Sequence, residues 1–359
     1  MKLLFLNTNI GYGGASKMIV WVANQCALVG HDVTFLTYRD SEVRQPLDTR
    51  VKLVHEHLEN VGGNVSLLFS VKWLHRFIKA NRFDVGVAFL SPSILRMALA
   101  AKGTAMKVIF SHRGDPYSKT HTKSLISKAV DVLNTWAFKQ ADGYVFQTKM
   151  AQAYYEKRIQ KRSVVIPNPI RPMQRTEVRE GNIRKSFVAI GRLDLKQKRQ
   201  DVMIEAFNQI SPKYPDFKLE IYGDGEDEIK VKELACSNPN ILLKGKTSNV
   251  VSVIQCAWAT VLSSDFEGIP NALLESMSLG VPSISTDCSP GGAAMLIQNM
   301  ENGLLTPRGD ASALSQAMEF MINHPIEAEQ MGNKGTCVNE RFSEEMISKK
   351  WLDFIGTFN

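Results

Sequence analysis

Two glutamates, Glu267 and Glu275, stand eight positions apart in Asp265-Phe266-Glu267-Gly268-Ile269-Pro270-Asn271-Ala272-Leu273-Leu274-Glu275. The stretch crosses a Gly-Ile-Pro turn and enters a helical pattern. Glu267 is therefore expected in a loop leaving the apolar run Trp258-Ala259-Thr260-Val261-Leu262, and Glu275 about one turn into a helix. A helix start presents free N–H groups and a positive dipole end, which suits a phosphate better than a cation. On spacing alone, a capping carboxylate beside an unrelated surface glutamate accounts for the pair equally well.

Upstream, Gly191-Arg192-Leu193-Asp194-Leu195-Lys196-Gln197-Lys198-Arg199-Gln200-Asp201 sets Arg192 and Lys198 around the opening of another helix. Two cations there can neutralise a diphosphate, although a solvated charge run is the plainer alternative. Gly11-Tyr12-Gly13-Gly14-Ala15-Ser16 follows the first strand-like run and opens a helix, so that backbone N–H groups can approach a phosphate or sugar. Its spacing is not that of dinucleotide binders, and a tight strand-to-helix turn fits it too. His112 closes the apolar run Val108-Ile109-Phe110-Ser111, where a lone histidine is often a hydrogen-bonded surface residue.

The elements that must position these residues alternate twice along the chain. Strand-like runs fall at Lys2 to Asn7, Asp32 to Thr37, Asp84 to Leu90, Met106 to Ser111, Gly143 to Phe146 and Ser163 to Ile166. Helical patterns lie between them at Ser16 to Val29, Leu67 to Ala80 and Lys123 to Gln140. The proline-rich Ile166-Pro167-Asn168-Pro169-Ile170-Arg171-Pro172 reads as a linker. Beyond it strands recur at Ser186 to Ile190, Lys218 to Tyr222, Ile241 to Leu243, Ala259 to Leu262 and Pro282 to Ser285. Helices are expected there at Gln200 to Gln209, Glu228 to Ala235, Asn271 to Leu279 and Ala311 to Ile322. Continuous apolar strands alternating with helices imply α/β architecture with parallel sheets covered on both faces. Two such doubly wound domains in tandem would face a cleft at the carboxyl ends of their strands.

The 359 residues exceed one ordinary core, and 44% hydrophobic with 22% charged residues is a globular composition. No apolar run is long enough to span a membrane, and the first residues read as a strand rather than a signal peptide, so a cytoplasmic protein is expected. Five cysteines without a C-x-x-C pair indicate neither a zinc site nor a disulfide framework. Charge is uneven: residues 1–170 carry a net +12 and residues 171–359 a net −5. The basic half suits an anionic partner, nucleic acid or membrane.

Taken in order, Gly191-Arg192-Leu193 with Lys198 and Asp201, Tyr222-Gly223-Asp224-Gly225, the Glu267/Glu275 pair, Ser276 to Asp287 and Asn302-Gly303-Leu304-Leu305 resemble the motif series of glycosyltransferase family 4. The resemblance spans essentially the whole chain. It implies a retaining enzyme of GT-B fold, with two tandem Rossmann-like domains at 1–168 and 169–342 and a C-terminal helix within 343–359 crossing back to the first.

The same resemblance implies roles for individual residues. Arg192 and Lys198 would hold the diphosphate of a nucleotide-sugar donor and stabilise the charge that grows as it leaves, with no cofactor or metal. Glu275 would accept hydrogen bonds from the ribose, and Gly245 would lie against the base. Glu267 and the backbone of Gly268, Ile269, Pro270 and Asn271 would hold the donor sugar, with Leu273 in the same motif; as a carboxylate Glu267 could instead act as a nucleophile forming a glycosyl intermediate, but the resemblance favours the hydroxyl clamp. Gly13 and Gly14 complete the donor-binding set, and His112 contacts the donor sugar. The implied reaction moves a hexose or N-acetylhexosamine from a UDP-sugar, with GDP-mannose as the second choice of donor, to a saccharide acceptor; the basic first half suggests one linked to a lipid diphosphate at the membrane, as in capsule or exopolysaccharide biosynthesis.

The basic helical patterns Leu67 to Lys79 and Lys119 to Lys139 can lie on an anionic membrane, giving a peripheral protein on its inner face, or can simply pack on a sheet with solvated outer sides. Arg341 to Ile355 reads as an amphipathic helix with Ser343 as its cap. Two other readings compete. A sugar-nucleotide epimerase of GT-B architecture would bind the same donors, and a nucleic-acid-binding module would use the basic half, though no motif for one is present.

Overall fold

The computed structural model describes every residue outside 11–13, 40–45, 57–65, 118–124 and 172–182, and it carries two compact units. The first contains Met1–Gly114, Lys119–Ile166 and Ile347–Asn359, and the second is built mainly on Pro167–Met346. The division falls inside the proline-rich segment.

The first unit runs β1 (Lys2–Asn7), α1 (Gly14–Leu28), β2 (Asp32–Thr37), β3 (Lys52–His55), α2 (Leu67–Asn81), β4 (Val85–Ala88), α3 (Ser91–Ala100), β5 (Lys107–His112), α4 (Leu125–Phe138), β6 (Gly143–Phe146), α5 (Lys149–Ala153), α6 (Lys157–Gln160) and β7 (Ser163–Val165). Its strands form one parallel sheet in the order β3-β2-β1-β4-β5-β6-β7. Successive residues of β1 point to opposite faces, as the pleat requires. Leu3 and Phe5 join one buried cluster, and Leu4 and Leu6 join the other.

The second unit runs β8 (Ser186–Ile190), α7 (Gln200–Ile210), β9 (Lys218–Tyr222), α8 (Glu228–Ala235), β10 (Ile241–Gly245), α9 (Val250–Gln255), β11 (Ala259–Leu262), α10 (Asn271–Ser278), β12 (Ser283–Thr286), α11 (Gly292–Leu296), β13 (Leu304–Thr306), α12 (Ala311–Asn323), α13 (Pro325–Gly335) and α14 (Val338–Arg341); the last helix, α15 (Glu344–Gly356), starts in it and passes into the first unit at Ile347. Its parallel sheet has the order β10-β9-β8-β11-β12-β13. Phe187 and Val188, adjacent on β8, again enter cores on opposite faces. Strand order reverses at β8, which has β9 on one side and β11 on the other. Such a switch point splays the following loops apart and leaves a crevice at the carboxyl edge of the sheet, where ligands bind in open α/β folds.

Helix α15 belongs to both units by sequence, with its Ser343 hydroxyl capping the Met346 N–H at 3.2 Å. From Ile347 onward it packs on the first. Ile347, Trp351 and Ile355, spaced four apart along one face, are fully buried with Leu3, Phe5 and Phe89. Each such side chain contributes about 1.5–3 kcal/mol of burial free energy. No helix among the described residues is long and apolar enough to cross a membrane.

Candidate active site

Both loops that leave the second unit's switch point carry candidate residues. After β8 the chain turns at Asp194, whose carboxylate accepts the N–H groups of Lys196 and Gln197 at 3.1 and 3.0 Å. Its carbonyl accepts the Lys198 N–H at 2.7 Å. That closed turn aims Lys198 back over Gly191, where a Cβ would sit 3.5 Å from the lysine Cε, at ordinary contact. The floor of the loop is the Gly223-Asp224-Gly225 backbone. A Cβ on Gly223 would come within 1.9 Å of the Gly191 carbonyl oxygen, and one on Gly225 within 2.2 Å of that of Leu193. Only glycine lets the strands' exit loops approach this closely.

The second loop follows β11. Ser263 and Ser264 are fully buried. The Ser263 hydroxyl donates to the Lys198 carbonyl at 2.7 Å, and that of Ser264 donates to Glu267 Oε1 at 3.1 Å. Gln197 joins the loops through its backbone carbonyl, which accepts the Asp265 N–H at 2.9 Å, and its amide, which donates to the Phe266 carbonyl at 3.1 Å. On the far side Glu267 N–H donates to the Ser289 carbonyl at 2.7 Å, and Gly292 comes so close that a Cβ would lie 1.6 Å from the Gly268 oxygen. Glu267 is thus held from two directions.

This clamping brings Lys198 and Glu267, 69 positions apart, into a direct Nζ–Oε1 ion pair with side chains only 20% and 12% exposed. Arg192 stands nearby in sequence with a 61% exposed side chain, its Nη2 donating to Asp194 at 3.0 Å and to Gln197 Oε1 at 2.9 Å. Beyond Glu267, α10 starts at Asn271 behind Pro270 without a side-chain cap and with no acidic residue in its first turn. Its leading N–H groups are therefore available to an anion. Glu275 is half-buried one turn further on. Ile269 and Leu273, 4% and 3% exposed, are core residues that pack with Leu262 and Met277, so only their backbone is available to a ligand. Gly245 ends β10 with φ of 68°, and its carbonyl accepts the Gly223 N–H at 2.9 Å.

Arg199 is a residue that pattern reading passes over. It opens α7 in the left-handed conformation, φ 49° and ψ 49°, and does not cap the helix with its side chain. Left-handed backbone costs a non-glycine residue about 1–2 kcal/mol. Its guanidinium forks onto Asp201 through Nε and Nη2 at 3.0 and 2.9 Å, and Nη1 reaches Asp265 at 3.0 Å. The Asp201 hydrogen bonds push its pKa above the usual arginine value; burial opposes them, and the Asp265 hydrogen bond adds to the rise. The thiol of Cys288, close by, is pushed up to about 12 by burial.

Gly14 and His112 lie in the first unit, at the start of α1 and the end of β5. Gly13 lies outside the described residues. The His112 ring meets Phe138 and Tyr155 edge-on, with centroids 5.9 and 6.0 Å away. Its neighbour Arg113 stacks over Phe89 at 4.6 Å and lies 5.7 Å from Trp351, and desolvation lowers its pKa from the usual arginine value to about 9.

Two parallel Rossmann-like units, the second with cations and an acidic loop at its switch point, define an enzyme of GT-B fold. The solved structure of HepE from Anabaena in complex with UDP-glucose has the same fold, with a TM-score of 0.80 at 16% identity over 99% of this chain and 100% of that one. Residues 12–174 match the family model described as Glycosyltransferase Family 4, and residues 184–324 match Glycosyl transferases group 1. The chain belongs to glycosyltransferase family 4 and is a glycosyltransferase. An uncharacterized glycosyltransferase of Haemophilus influenzae is 23% identical, with 98% of each chain covered. The GalNAc-alpha-(1->4)-GalNAc-alpha-(1->3)-diNAcBac-PP-undecaprenol alpha-1,4-N-acetyl-D-galactosaminyltransferase of Campylobacter jejuni is 25% identical over 99% of this chain and 98% of its own.

Proposed function

We propose that this glycosyltransferase is retaining and metal-independent, and that it moves a hexose or N-acetylhexosamine from a UDP-sugar to a lipid-diphosphate-linked saccharide in polysaccharide biosynthesis. The observation that carries the reading is the half-sheltered Lys198–Glu267 pair at the β8/β11 switch point, with the uncapped start of α10 following it in the chain. The UDP-glucose complex of HepE supports the donor class, and the acceptor in the name of the Campylobacter relative supports the acceptor class.

In this reading Lys198 and Arg192 bind the diphosphate with help from the α10 N–H groups, Glu275 accepts from the ribose hydroxyls, and Gly245 lies against the base. Glu267 accepts from donor-sugar hydroxyls and orients Lys198. The bond from the anomeric carbon to the phosphate oxygen breaks as the acceptor oxygen bonds to the same face of that carbon. The acceptor proton passes to the departing phosphate oxygen. Cations fixed beforehand around that oxygen stabilise its growing charge without rearranging, which is where such sites gain most of their rate.

The membrane side of the proposal rests on α2. It contains no Asp or Glu, exposes Leu68 and Phe69 in its first turns, and exposes Lys72, Arg76 and Lys79 beyond them. Such a helix suits an anionic surface, where a lipid-linked acceptor would be met. The protein would then be peripheral on the inner membrane face.

A thermal-shift screen over UDP and GDP sugars, followed by NMR of the product made on a lipid-diphosphate saccharide, tests the reading. Stabilisation by a UDP-sugar and an anomeric configuration matching the donor are expected, with turnover unchanged by a chelator. An inverted product, or conversion of the nucleotide sugar into its epimer without acceptor, refutes it.

A further inference from the structure

We propose that Arg199 is a positioning residue that fixes the separation of Lys198 and Glu267; the inference rests on the donor-site reading above. Three observations converge on it. Arg199 follows Lys198 directly in the chain, and Asp265, which its Nη1 reaches at 3.0 Å, lies two residues before Glu267. The guanidinium therefore ties the loop that carries the cation to the loop that carries the carboxylate.

The backbone is the second observation. A helix N-cap ordinarily takes extended φ and ψ, whereas Arg199 takes the left-handed region, with φ of 49°. Arg82 also has a positive φ, 55°, but it closes α2, a place where left-handed residues are ordinary. Glycine would adopt the Arg199 conformation freely, so the conformation does not explain the side chain. Its contacts do.

The third is the geometry of the fork. Nε and Nη2 grip both oxygens of Asp201 in the first turn of α7, leaving Nη1 alone to reach Asp265. Asp265 is meanwhile fixed by its own backbone: its N–H donates to Gln197 and its carbonyl accepts from Ser289 at 3.0 Å. A planar guanidinium can serve both carboxylates at once, and a lysine ammonium cannot reproduce that fork. The result is a rigid brace from the start of α7 to the acidic loop.

The test compares Arg199→Gly, Arg199→Lys, Asp265→Asn and the Arg199→Gly/Asp265→Asn double variant in the full chain. UDP affinity is read by calorimetry, UDP release from a UDP-sugar by a coupled assay, and melting by scanning fluorimetry. Arg199→Gly is expected to melt close to wild type, because glycine removes the strain as the ion pairs are lost. Its turnover should fall about tenfold to hundredfold, the scale of a misplaced catalytic group. Arg199→Lys should not rescue it, and Asp265→Asn should show a comparable loss that the double variant does not deepen. Turnover and UDP affinity of Arg199→Gly matching wild type would overturn the proposal, as would losses that multiply in the double variant. Should Arg199→Gly fail to fold, Asp265→Asn, which leaves the grip on Asp201 intact, decides alone: a turnover loss without a melting change supports the brace, and wild-type turnover overturns it. Lys198→Ala measured in parallel separates the levels. If it turns over normally the donor-site reading fails, and if it is inactive while Arg199→Gly is normal only the positioning role fails.

Discussion

Replacing Lys198 with alanine separates what the Lys198–Glu267 pair does for chemistry from what it does for the fold. For chemistry the substitution removes one fixed cation from the leaving diphosphate. Loss of one preorganised donor at a developing negative charge costs about 2.7–4 kcal/mol, or about 10²–10³ in kcat. For stability it strands Glu267, whose side chain is 12% exposed, with the Ser264 hydroxyl at 3.1 Å as its remaining side-chain hydrogen bond among the described residues. A fully buried carboxylate left alone costs about 3–5 kcal/mol, and the retained hydrogen bond and residual exposure reduce this to about 2 kcal/mol. In a unit of this size that is a fall in melting temperature of about 4–8 °C. The Lys198→Ala/Glu267→Gln double variant should recover most of that melting loss, because it removes the stranded charge, yet stay inactive. UDP release in a coupled assay and scanning fluorimetry read the two effects separately. Lys198→Ala turning over within about fivefold of wild type, against a predicted loss of 10²–10³, would refute the catalytic assignment, and so would turnover restored in the double variant.

The remaining predictions bear on packing and ionisation. Gly292→Ala places a methyl group 1.6 Å from the Gly268 oxygen and so must push the loop holding Glu267; overpacking predicts a stability loss of about 1–3 kcal/mol, accompanied by a fall in turnover, measured by denaturation and coupled assay. Trp351→Ala empties a fully buried site that stacks on Phe89 at 5.5 Å. It should cost about 3–5 kcal/mol in urea unfolding, with the loss confined to the first unit. Cys26 and Cys288 have thiols pushed up from the ordinary thiol range to about 12 by burial, so both stay protonated in the folded chain where the unfolded chain ionises. Their contribution to stability is full below pH 9 and is lost progressively as the pH rises toward 12. At pH 8, iodoacetamide should label exposed Cys236 before either, as peptide mass spectrometry can record.

The elements easiest to read in the sequence are the ones buried on both sides. β1 forms at Lys2–Asn7 and β8 at Ser186–Ile190 because continuous apolar runs leave little choice. β3, by contrast, is an edge strand of mixed Lys-Leu-Val-His composition with mostly exposed side chains, and its apolar pattern is too weak to reveal it. α3 hides behind Ser91-Pro92, which resembles turn punctuation although proline is at home in the first turn of a helix. At the site, residue types announce Lys198 and Glu267 separately. Their pairing depends on β8 and β11 being neighbours in the sheet, a long-range fact that no local spacing carries. Arg199 is the hardest case, since a left-handed arginine and a right-handed one are spelled the same way.

The burial of Ile347, Trp351 and Ile355 against Leu3 and Phe5 also sets an order of assembly. On the ribosome the first unit's strands emerge early, but one wall of their core is encoded more than 180 residues after the last of those strands, Ser163–Val165. The second unit, contiguous in sequence apart from a short excursion, can close while the first still waits with an open apolar face. The unit whose strands are made earlier is therefore expected to complete its core later, and a nascent chain stalled before Ile347 would offer that face to chaperones.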